Sequence, residues 1–319
     1  MLVGILAGLA TCGLWGLSFV APRAVAPFTT LDLSVARYGI FGLASVLLMI
    51  LPRFRPKGLS AGQWLRGLLL GGVGYIGYFI AVAHAVRLAG PAIPPLVIGL
   101  MPVVLALIAN ARDAVLGWGR LPIPLAMIAA GVLIVHIGPL ADASGATQDL
   151  LPGIMAALLA LVIWVVYGLV NSAVMTAAKP PDGLHWTVVQ GIGAGIGSLC
   201  LLPLTWRGFT WQLAQPGADP AGFAIWALVM GLAGSWLATW FWVIAARRLT
   251  LALAAQLIVA ETVFGLIFGF AFEGRAPSTN ESVGAAIQIA GVCLAIWMFE
   301  RAARTRTAGQ AQSHAPETA

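Results

Sequence analysis

The chain has 319 residues, of which 60% are hydrophobic and only 9% are charged. A water-soluble protein of this length needs a far more charged surface, so the composition excludes a soluble globular domain and indicates a protein whose main solvent is lipid. The net charge of +6 does not indicate a nucleic-acid partner, because the basic residues stand singly or in short groups between apolar runs, as membrane topology signals do.

Ten apolar runs follow one another along the chain. A bilayer core about 30 Å thick requires roughly 20 apolar residues in a helix, and this length predicts ten spanning helices. They centre near Ala10, Phe41, Tyr75, Gly99, Ala130, Leu161, Ile196, Ala233, Phe264 and Gly291. The first run has no basic segment before it, so we interpret it as a spanning helix and not as a cleaved signal peptide. The polar residues 301–319 are predicted to form a disordered cytoplasmic tail.

Lys and Arg residues are unevenly distributed between alternate connections. With the N-terminus in the cytoplasm, twelve of them lie on the inner side and four on the outer side. The inner set is Arg53, Arg55, Lys57, Arg66, Arg112, Arg120, Lys179, Arg247, Arg248, Arg301, Arg304 and Arg306, and the outer set is Arg23, Arg87, Arg207 and Arg275. Because basic residues accumulate on the cytoplasmic side, the sequence predicts that both termini are cytoplasmic.

The two halves of the chain repeat each other weakly. Gly4, Ile5, Trp15, Ala24 and Val25 recur 149 residues later as Gly153, Ile154, Trp164, Ala173 and Val174, and Ala130-Gly131-Val132 recurs 160 residues later as Ala290-Gly291-Val292. Because five is an odd number of spans, the second half must cross the membrane upside down. The sequence therefore predicts an all-α polytopic fold of two inverted five-helix repeats, residues 1–146 and 147–300. Such repeats are typical of alternating-access carriers, whose binding site lies between the halves near the midplane.

Several short motifs occur in the order expected of one known family. They are Trp15-Gly16 with Ser18-Phe19, Arg37, Pro102, Glu261-Thr262-Val263-Phe264, and Gly284-Ala285-Ala286-Ile287 with Ala290-Gly291-Val292. Over roughly residues 3–300 the chain resembles the drug/metabolite transporter superfamily with paired EamA domains. The resemblance implies a ten-helix carrier without ATP hydrolysis, a central cavity between the halves, and substrates such as amino acids, drugs, sugars or nucleotide derivatives. Where the family has Glu-Pro in the ninth span, this chain has Glu261-Thr262.

Aromatic residues select one branch within this resemblance. Ile163-Trp164 with Tyr167, together with Trp15 and the pair Tyr75 and Tyr78, is similar to the aromatic amino acid exporters. That branch tends to place large aromatics just before the proline of the fourth span. In this chain the position before Pro102 is Met101, which the resemblance therefore adds to the predicted cavity.

Glu261 is the carboxylate placed deepest in a predicted span. A charge there costs at least about 2.5 to 3.5 kcal/mol, so a compensating interaction is expected. One interpretation is a proton carrier, or an anion that pairs with the ammonium group of a substrate. The other is a protonated or hydroxyl-bonded glutamate that fixes helix packing.

Polar and aromatic side chains share helix faces in three spans, as the lining of a cavity would. The faces are Thr11, Trp15 and Ser18; Trp164, Tyr167 and Asn171; and Ser235 and Thr239, while Tyr78 lies near the midplane of its span. Flat apolar rings with hydroxyl or indole donors suit an amphipathic ligand such as a large amino acid. The alternative is that these residues only pack between helices, with Gly231, Gly234 and Ser235 forming a close-packing face.

The fourth span carries three prolines, Pro94, Pro95 and Pro102. Each removes an amide donor and frees carbonyl groups, which predicts a helix break or hinge beside the cavity. Arg37 could meet a substrate carboxylate, but its position near the outer interface favours a structural role in which the side chain extends to the membrane surface.

These observations predict a secondary transporter of small metabolites. The resemblance implies that it exports amino acids with large or aromatic side chains across the bacterial inner membrane. A drug, sugar or nucleotide-derivative carrier is the alternative, and an intramembrane enzyme is a remote one, since no paired acids or HExxH motif occur. The expected partners are a small-molecule substrate, the lipid bilayer and a coupling proton. No nucleic acid, metal or cofactor is expected, because the cysteines and histidines lack ligand spacing. The oligomeric state is left open.

Overall fold

The structure is a computed structural model that describes residues 2–90, 93–113, 117–141, 147–175, 177–248 and 251–313, and these ranges contain helices and turns without a strand. The first half contains α1 (Leu2–Gly16), α2 (Thr30–Leu48), α3 (Ala61–Ala89), α4 (Ile93–Ile98), α5 (Met101–Asp113) and α6 (Pro122–Ala141). The second half contains α7 (Thr147–Met175), α8 (Gly183–Leu213), α9 (Pro220–Leu228, Val229–Leu237 and Ala238–Arg248), α10 (Leu251–Glu273) and α11 (Thr279–Ser313). Short helical turns at Leu17–Phe19, Ala21–Ala24, Pro52–Phe54 and Trp118–Arg120 connect them.

Seven helical segments of the described chain are long and apolar enough to cross a membrane. They are Leu2–Phe19, Thr30–Leu48, Ala61–Ala89, Asp149–Met175, Gly183–Trp206, Pro220–Ala245 and Thr279–Met298. The other three predicted centres lie at the boundary of α4 and α5 for Gly99, in α6 for Ala130, and in α10 for Phe264. The chain is therefore a helical membrane protein.

Local sequence signals explain where two of these helices begin. Thr29 accepts a hydrogen bond from the backbone of Asp32, whose carboxylate accepts in return from the Thr29 backbone, and Ser60 and Gln63 form the same reciprocal cap at the start of α3. Each cap satisfies amide groups that have no partner within the helix.

The predicted break in the fourth span is present. α4 ends at Ile98, Gly99 and Leu100 form a turn, and α5 begins at Met101. The backbone N–H of Leu100 bonds to Val97 O instead of to Leu96 O, so the regular helical ladder is interrupted there.

Two helices contain a π-helical segment, Leu70–Tyr75 in α3 and Val229–Leu237 in α9. Both segments are rich in glycine, and in the second the N–H of Ala238 bonds to Ala233 O, five residues back. A π-helical turn adds one residue to the turn and changes the direction in which nearby side chains point, and such turns are frequent at functional sites.

The helices of the two halves pack against each other in matched pairs. α2 packs on α8 and α6 on α11, and α1 lies between the last part of α9 and α10, while α7 packs on the second part of α3 and on α4. At the crossing of α2 and α8, a Cβ atom on Gly195 would lie 2.9 Å from the Cα of Gly42. Small residues at this crossing let the two backbones approach closely, as the glycine spacing in α8 indicates.

The last helix differs from the sequence expectation. α11 continues to Ser313, so residues 301–313 are helical and not disordered. The segment from Glu300 to Thr307 contains Ala and Arg, which are good helix formers, and Gly309 is the first residue after Gly291 that disfavours a helix strongly. The polar composition that indicated disorder is therefore compatible with a continued helix.

Candidate functional site

A cavity lies among the helices of both halves. The space between its walls, including the part that opens to the outside, is about 390 Å³. The lining residues are Trp15, Ser18, Arg37, Tyr38, Phe41, Tyr75, Tyr78, Trp164, Gly234, Ser235, Thr239 and Glu261. Six of the predicted cavity residues are in this lining: Trp15, Tyr78, Trp164, Ser235, Thr239 and Glu261.

Aromatic rings form one wall of the cavity. Trp164 stacks with Tyr78 at a centroid distance of 4.7 Å and with Tyr167 at 4.6 Å. It meets Trp15, its counterpart in the sequence repeat, edge to face at 5.6 Å. Tyr75 lies beside Tyr167, with ring centroids 5.1 Å apart. This wall can accept a flat apolar group of a ligand.

Arg37 is buried at the cavity, with 4% of its surface exposed. It donates hydrogen bonds to Ser235 Oγ at 2.9 Å, Ser18 Oγ at 3.2 Å and Gly234 O at 3.1 Å. The guanidinium carbon lies 4.3 Å from the centre of the Phe79 ring. The prediction that this side chain extends to the membrane surface is wrong, because the hydroxyl and carbonyl groups of other helices hold it inside.

Glu261 is equally buried, with 5% of its surface exposed. Its Oε2 accepts no hydrogen bond from the described residues. A buried carboxylate oxygen without a partner is costly unless it is protonated or a ligand binds it. The cavity thus holds a fixed cation, whose three described hydrogen bonds go to neutral acceptors, together with an acid that has an unused oxygen.

The π-helical segment of α9 shapes another part of the lining. Ser235 donates its hydroxyl proton to Met230 O, five residues back, and accepts from Arg37. Thr239 donates to Ser235 O at 2.7 Å. The same segment supplies the Gly234 carbonyl to Arg37, so the altered turn positions both the hydroxyl and the carbonyl that hold the cation.

Three predicted cavity residues lie behind the lining. The Tyr167 hydroxyl bonds to that of Tyr75 at 2.8 Å, and Asn171 Oδ1 accepts from the indole of Trp186 at 2.7 Å. Met101 is 6% exposed and packs in the core against Gly168. A Cβ atom added to that glycine would lie 3.0 Å from the terminal methyl of Met101. Two of these residues therefore contact the cavity only through others, and Met101 supports the packing of α5 on α7.

Side chains from α10 and α11 bond to the broken helix. Thr262 donates to Pro95 O at 3.1 Å, and Gln288 donates through Nε2 to Leu96 O at 2.5 Å. Pro94 and Pro95 are buried within α4, and Pro102 follows the break. The Leu96 carbonyl, which the Leu100 amide leaves unpaired, thus obtains its donor from another helix. Thr262 stands next to Glu261, so the break is connected to the cavity acid through one residue.

An ion-pair cluster joins connections at one end of the molecule. Arg23 bonds to Glu273 at 2.9 Å, and Arg275 bonds to Glu273 and to both oxygens of Glu281, each at 2.7 Å. The hydrogen bonds to Glu281 raise the pKa of Arg275 above its ordinary value. The cluster ties the segment after α1 to the end of α10 and the start of α11.

Sequence reasoning did not select Phe41 and Tyr38 as lining residues, and it favoured a surface position for Arg37. It named Ser18 on a polar helix face and Tyr75 in an aromatic pair, without choosing either as a cavity residue. Tyr75 lies in the π-helical segment of α3, where the regular helical spacing fails to predict the direction of a side chain.

The molecule is thus a polytopic helical membrane protein whose cavity is lined by a basic residue, an acidic residue and an aromatic wall. Residues 151–297 match the EamA-like transporter family. The chain is also 28% identical over 315 residues to "Inner membrane protein YtfF" of Escherichia coli (strain K12), covering 93% of this chain and 95% of the relative. It therefore contains an EamA-like transporter family domain and is homologous to an inner membrane protein, which confirms the resemblance found in the sequence.

A solved crystal structure has the same fold. It superposes with a TM-score of 0.61 at 21% sequence identity, covering 93% of this chain and 98% of the other. This likeness concerns the fold alone. A general role as a membrane transporter follows from the family domain and the homologue.

Proposed function

We propose that the protein is an alternating-access carrier that exports amino acids with large or aromatic side chains across the bacterial inner membrane. It does so with ten membrane-spanning helices arranged as two inverted repeats with both termini in the cytoplasm. The substrate binds in the cavity between the repeats. The observation that carries the substrate class is the combination of Arg37, Glu261 and the aromatic wall in one cavity.

The packing pattern supports two equivalent halves. The helices of the first half can be matched in chain order with those of the second half, with α4 and α5 together counting as one helix that corresponds to α10. With this matching, each contact between helices has an equivalent contact in which the two halves are exchanged. α1 contacts α9 and α10, while α7 contacts α3 and α4, and the pairs α2 with α8 and α6 with α11 map onto themselves. The two π-helical segments lie in α3 and α9, which are matched helices. Inverted repeats with a site between them are the usual construction of such carriers.

The charges and rings of the cavity suit a zwitterion with an aromatic side chain. Arg37 is positioned to bind a carboxylate, since its fork geometry matches two oxygens. Glu261, with one oxygen unpaired, is positioned to bind an ammonium group. Trp15, Tyr78 and Trp164 then receive the apolar side chain.

Glu261 is also the candidate for proton coupling. A buried acid of this kind can bind the ammonium group when ionised and release it when protonated, so that proton movement drives net transport of the substrate. Either role requires the carboxyl group, and an amide would abolish both.

Counterflow of radiolabelled amino acids in proteoliposomes tests the proposal. We expect the wild-type protein to exchange tryptophan, tyrosine and phenylalanine, and an imposed pH gradient to stimulate uptake. Glu261→Gln should lose the stimulation, while the control Asp149→Asn, which alters an exposed acid at the start of α7, should keep it. Retained stimulation in Glu261→Gln would limit that residue to packing.

If correctly folded protein exchanges no amino acid, the substrate class is wrong. The same proteoliposomes would then be used with drugs, sugars and nucleotide derivatives as competitors, which tests the alternative substrates of the resembled family.

A further inference from the structure

A chain of hydrogen bonds leads away from the cavity at Tyr75. The Tyr75 hydroxyl lies 2.8 Å from that of Tyr167, and Tyr167 donates to Gln190 Oε1 at 2.7 Å. Gln190 Nε2 lies 3.4 Å from Asn171 Oδ1, which also accepts from Trp186 Nε1 at 2.7 Å. Only the first member lines the cavity. The other four are not among the residues that line it.

The far end of this chain fixes its direction. An indole N–H can donate and can never accept, so the group that Trp186 meets must be an acceptor. The side-chain amide of Asn171 is therefore oriented with its oxygen towards Trp186. Gln190 must present its NH₂ group to the same oxygen, because the reversed amide would place two carbonyl oxygens opposite each other. The Gln190 oxygen is then directed at Tyr167.

The same logic continues to the cavity. Tyr167 has one hydroxyl proton and donates it to Gln190. The hydrogen bond between the two tyrosines must consequently use the proton of Tyr75. Thr239 also commits its proton, to Ser235 O, so it does not donate to Tyr75. The Tyr75 oxygen is left with lone pairs and no proton to offer to a ligand.

We propose that Tyr75 is a specificity-determining hydrogen-bond acceptor for a donor group on the substrate side chain, and that Trp186 sets this polarity through Asn171, Gln190 and Tyr167. The inference rests on the proposed function. Tyr75 stands beside Trp164 and Tyr167 in the aromatic wall, so it faces the ring of a bound amino acid. The preferred substrate is an aromatic amino acid whose ring carries a donor, such as the indole N–H of tryptophan.

Competition in the counterflow assay tests this proposal. Tryptophan is compared with the analogue in which sulfur replaces the indole N–H, so that shape is kept and the donor is lost. We expect wild-type protein to prefer tryptophan about tenfold or more, the effect of one hydrogen bond made or left unpaired in a buried site. Tyr75→Phe and Trp186→Phe should both reduce the preference to near unity. Trp206→Phe, on the exposed face of the same helix as Trp186, should keep it.

The outcomes separate the two proposals. Absence of all amino acid exchange would contradict the proposed function. Exchange of both compounds with equal affinity in the wild type, or an unchanged preference in Trp186→Phe, would overturn the role of the hydrogen-bond chain and leave the carrier function standing.

A spectroscopic measurement tests the polarity without a substrate. The tyrosine doublet in ultraviolet resonance Raman spectra distinguishes a phenol that donates from one that accepts, and the chain has only four tyrosines. The difference spectrum between the wild type and Tyr75→Phe isolates the Tyr75 doublet, which should have the intensity ratio of a phenol that donates a hydrogen bond. The difference spectrum between Trp186→Phe and the double variant with Tyr75→Phe should no longer show the intensity ratio of a donating phenol. An accepting signature for Tyr75 in the wild type would overturn the proposal even if no substrate were known.

Discussion

The Arg37 side chain combines burial with a set of neutral partners. Its described hydrogen bonds go to two hydroxyl groups and one carbonyl, and the Phe79 ring covers one face of the guanidinium. Neutral acceptors stabilise the charge without neutralising it. The positive charge therefore remains available to an anionic group in the cavity.

Replacement of Arg37 should weaken substrate binding. We expect Arg37→Gln to raise KM for an aromatic amino acid by roughly 30-fold or more, since removing one partner of a buried charged pair costs about 2 kcal/mol or more. Arg37→Lys should recover only part of the loss, because an ammonium lacks the planar fork. The measurement is concentration-dependent exchange in proteoliposomes. An unchanged KM in Arg37→Gln would assign the residue to packing alone.

Residue types at helical spacing predicted about half of the cavity lining. Trp15, Trp164 and Glu261 could be selected because deep polar and large aromatic residues are conspicuous in an apolar span. Arg37 could not, because its true position depends on Ser235, which is 198 residues away in the sequence. A snorkelling arginine and a buried one have the same local sequence, and only the packing of a distant helix distinguishes them.

The broken helix formed by α4 and α5 depends on donors from its neighbours. Thr262 stands where the resembled family has proline, which has no hydroxyl to offer, and here its hydroxyl bonds to Pro95 O. The departure from the family pattern thus adds an anchor between α10 and the break.

Loss of this anchor should lower stability. Thr262→Val keeps the shape and removes the hydroxyl, so we expect the free energy of unfolding to fall by about 0.6 to 1.7 kcal/mol, the range for interhelical hydrogen bonds in membranes. Thr262→Ser should stay close to wild type because it retains the donor. Unfolding in mixed detergent micelles measures both. Equal stability of the valine variant and the wild type would show that the bond contributes nothing.

The crossing of α2 and α8 requires small residues. We expect Gly195→Ala to destabilise the protein by about 1 to 3 kcal/mol, because its Cβ would lie 2.9 Å from the Gly42 backbone. Gly208→Ala in the same helix is the matched control, since the nearest atom lies 3.9 Å away. There the change should be neutral or slightly stabilising through helix propensity. Thermal unfolding of the two purified variants measures both changes in stability. A similar loss of stability in both variants would contradict the close approach of the α2 and α8 backbones.

Elements were more predictable than their irregularities. The apolar runs place the helices, and the prolines locate the break between Ile98 and Met101. The π-helical segments at Leu70–Tyr75 and Val229–Leu237 could not be predicted, because glycine-rich runs are equally compatible with a regular helix. The helical state of residues 301–313 was missed for the opposite reason, since a polar composition does not by itself prevent a helix.

The proposed topology has two inverted halves and both termini in the cytoplasm. The ion-pair cluster of Arg23, Glu273, Arg275 and Glu281 lies at a single end of the molecule, which is the outer end on that topology. A hydrogen bond from Gln63 to Lys179 O joins two other connections, both of which the same topology places on the inner side.

Reporter fusions test this topology. Alkaline phosphatase fused after Ala141 should be active, because that point is predicted to be outside, and the same enzyme fused after Met175 should be inactive. A fluorescent protein at the C-terminus should fluoresce. The reverse pattern would invert the protein in the membrane and move the ion-pair cluster to the cytoplasmic end.

The packing of α1 has a consequence for biosynthesis. Its partners are α9 and α10, and the Thr11 hydroxyl donates to Ala238 O, which is synthesised 227 residues later. At roughly 5 to 20 residues per second, the first helix waits about 10 to 45 seconds for this acceptor to be translated. During that interval the face that later binds the second half is in contact with lipid or with the insertion machinery. Truncated chains that end before Arg248 should therefore be recognised by quality-control proteases, even though their first helices have already entered the bilayer.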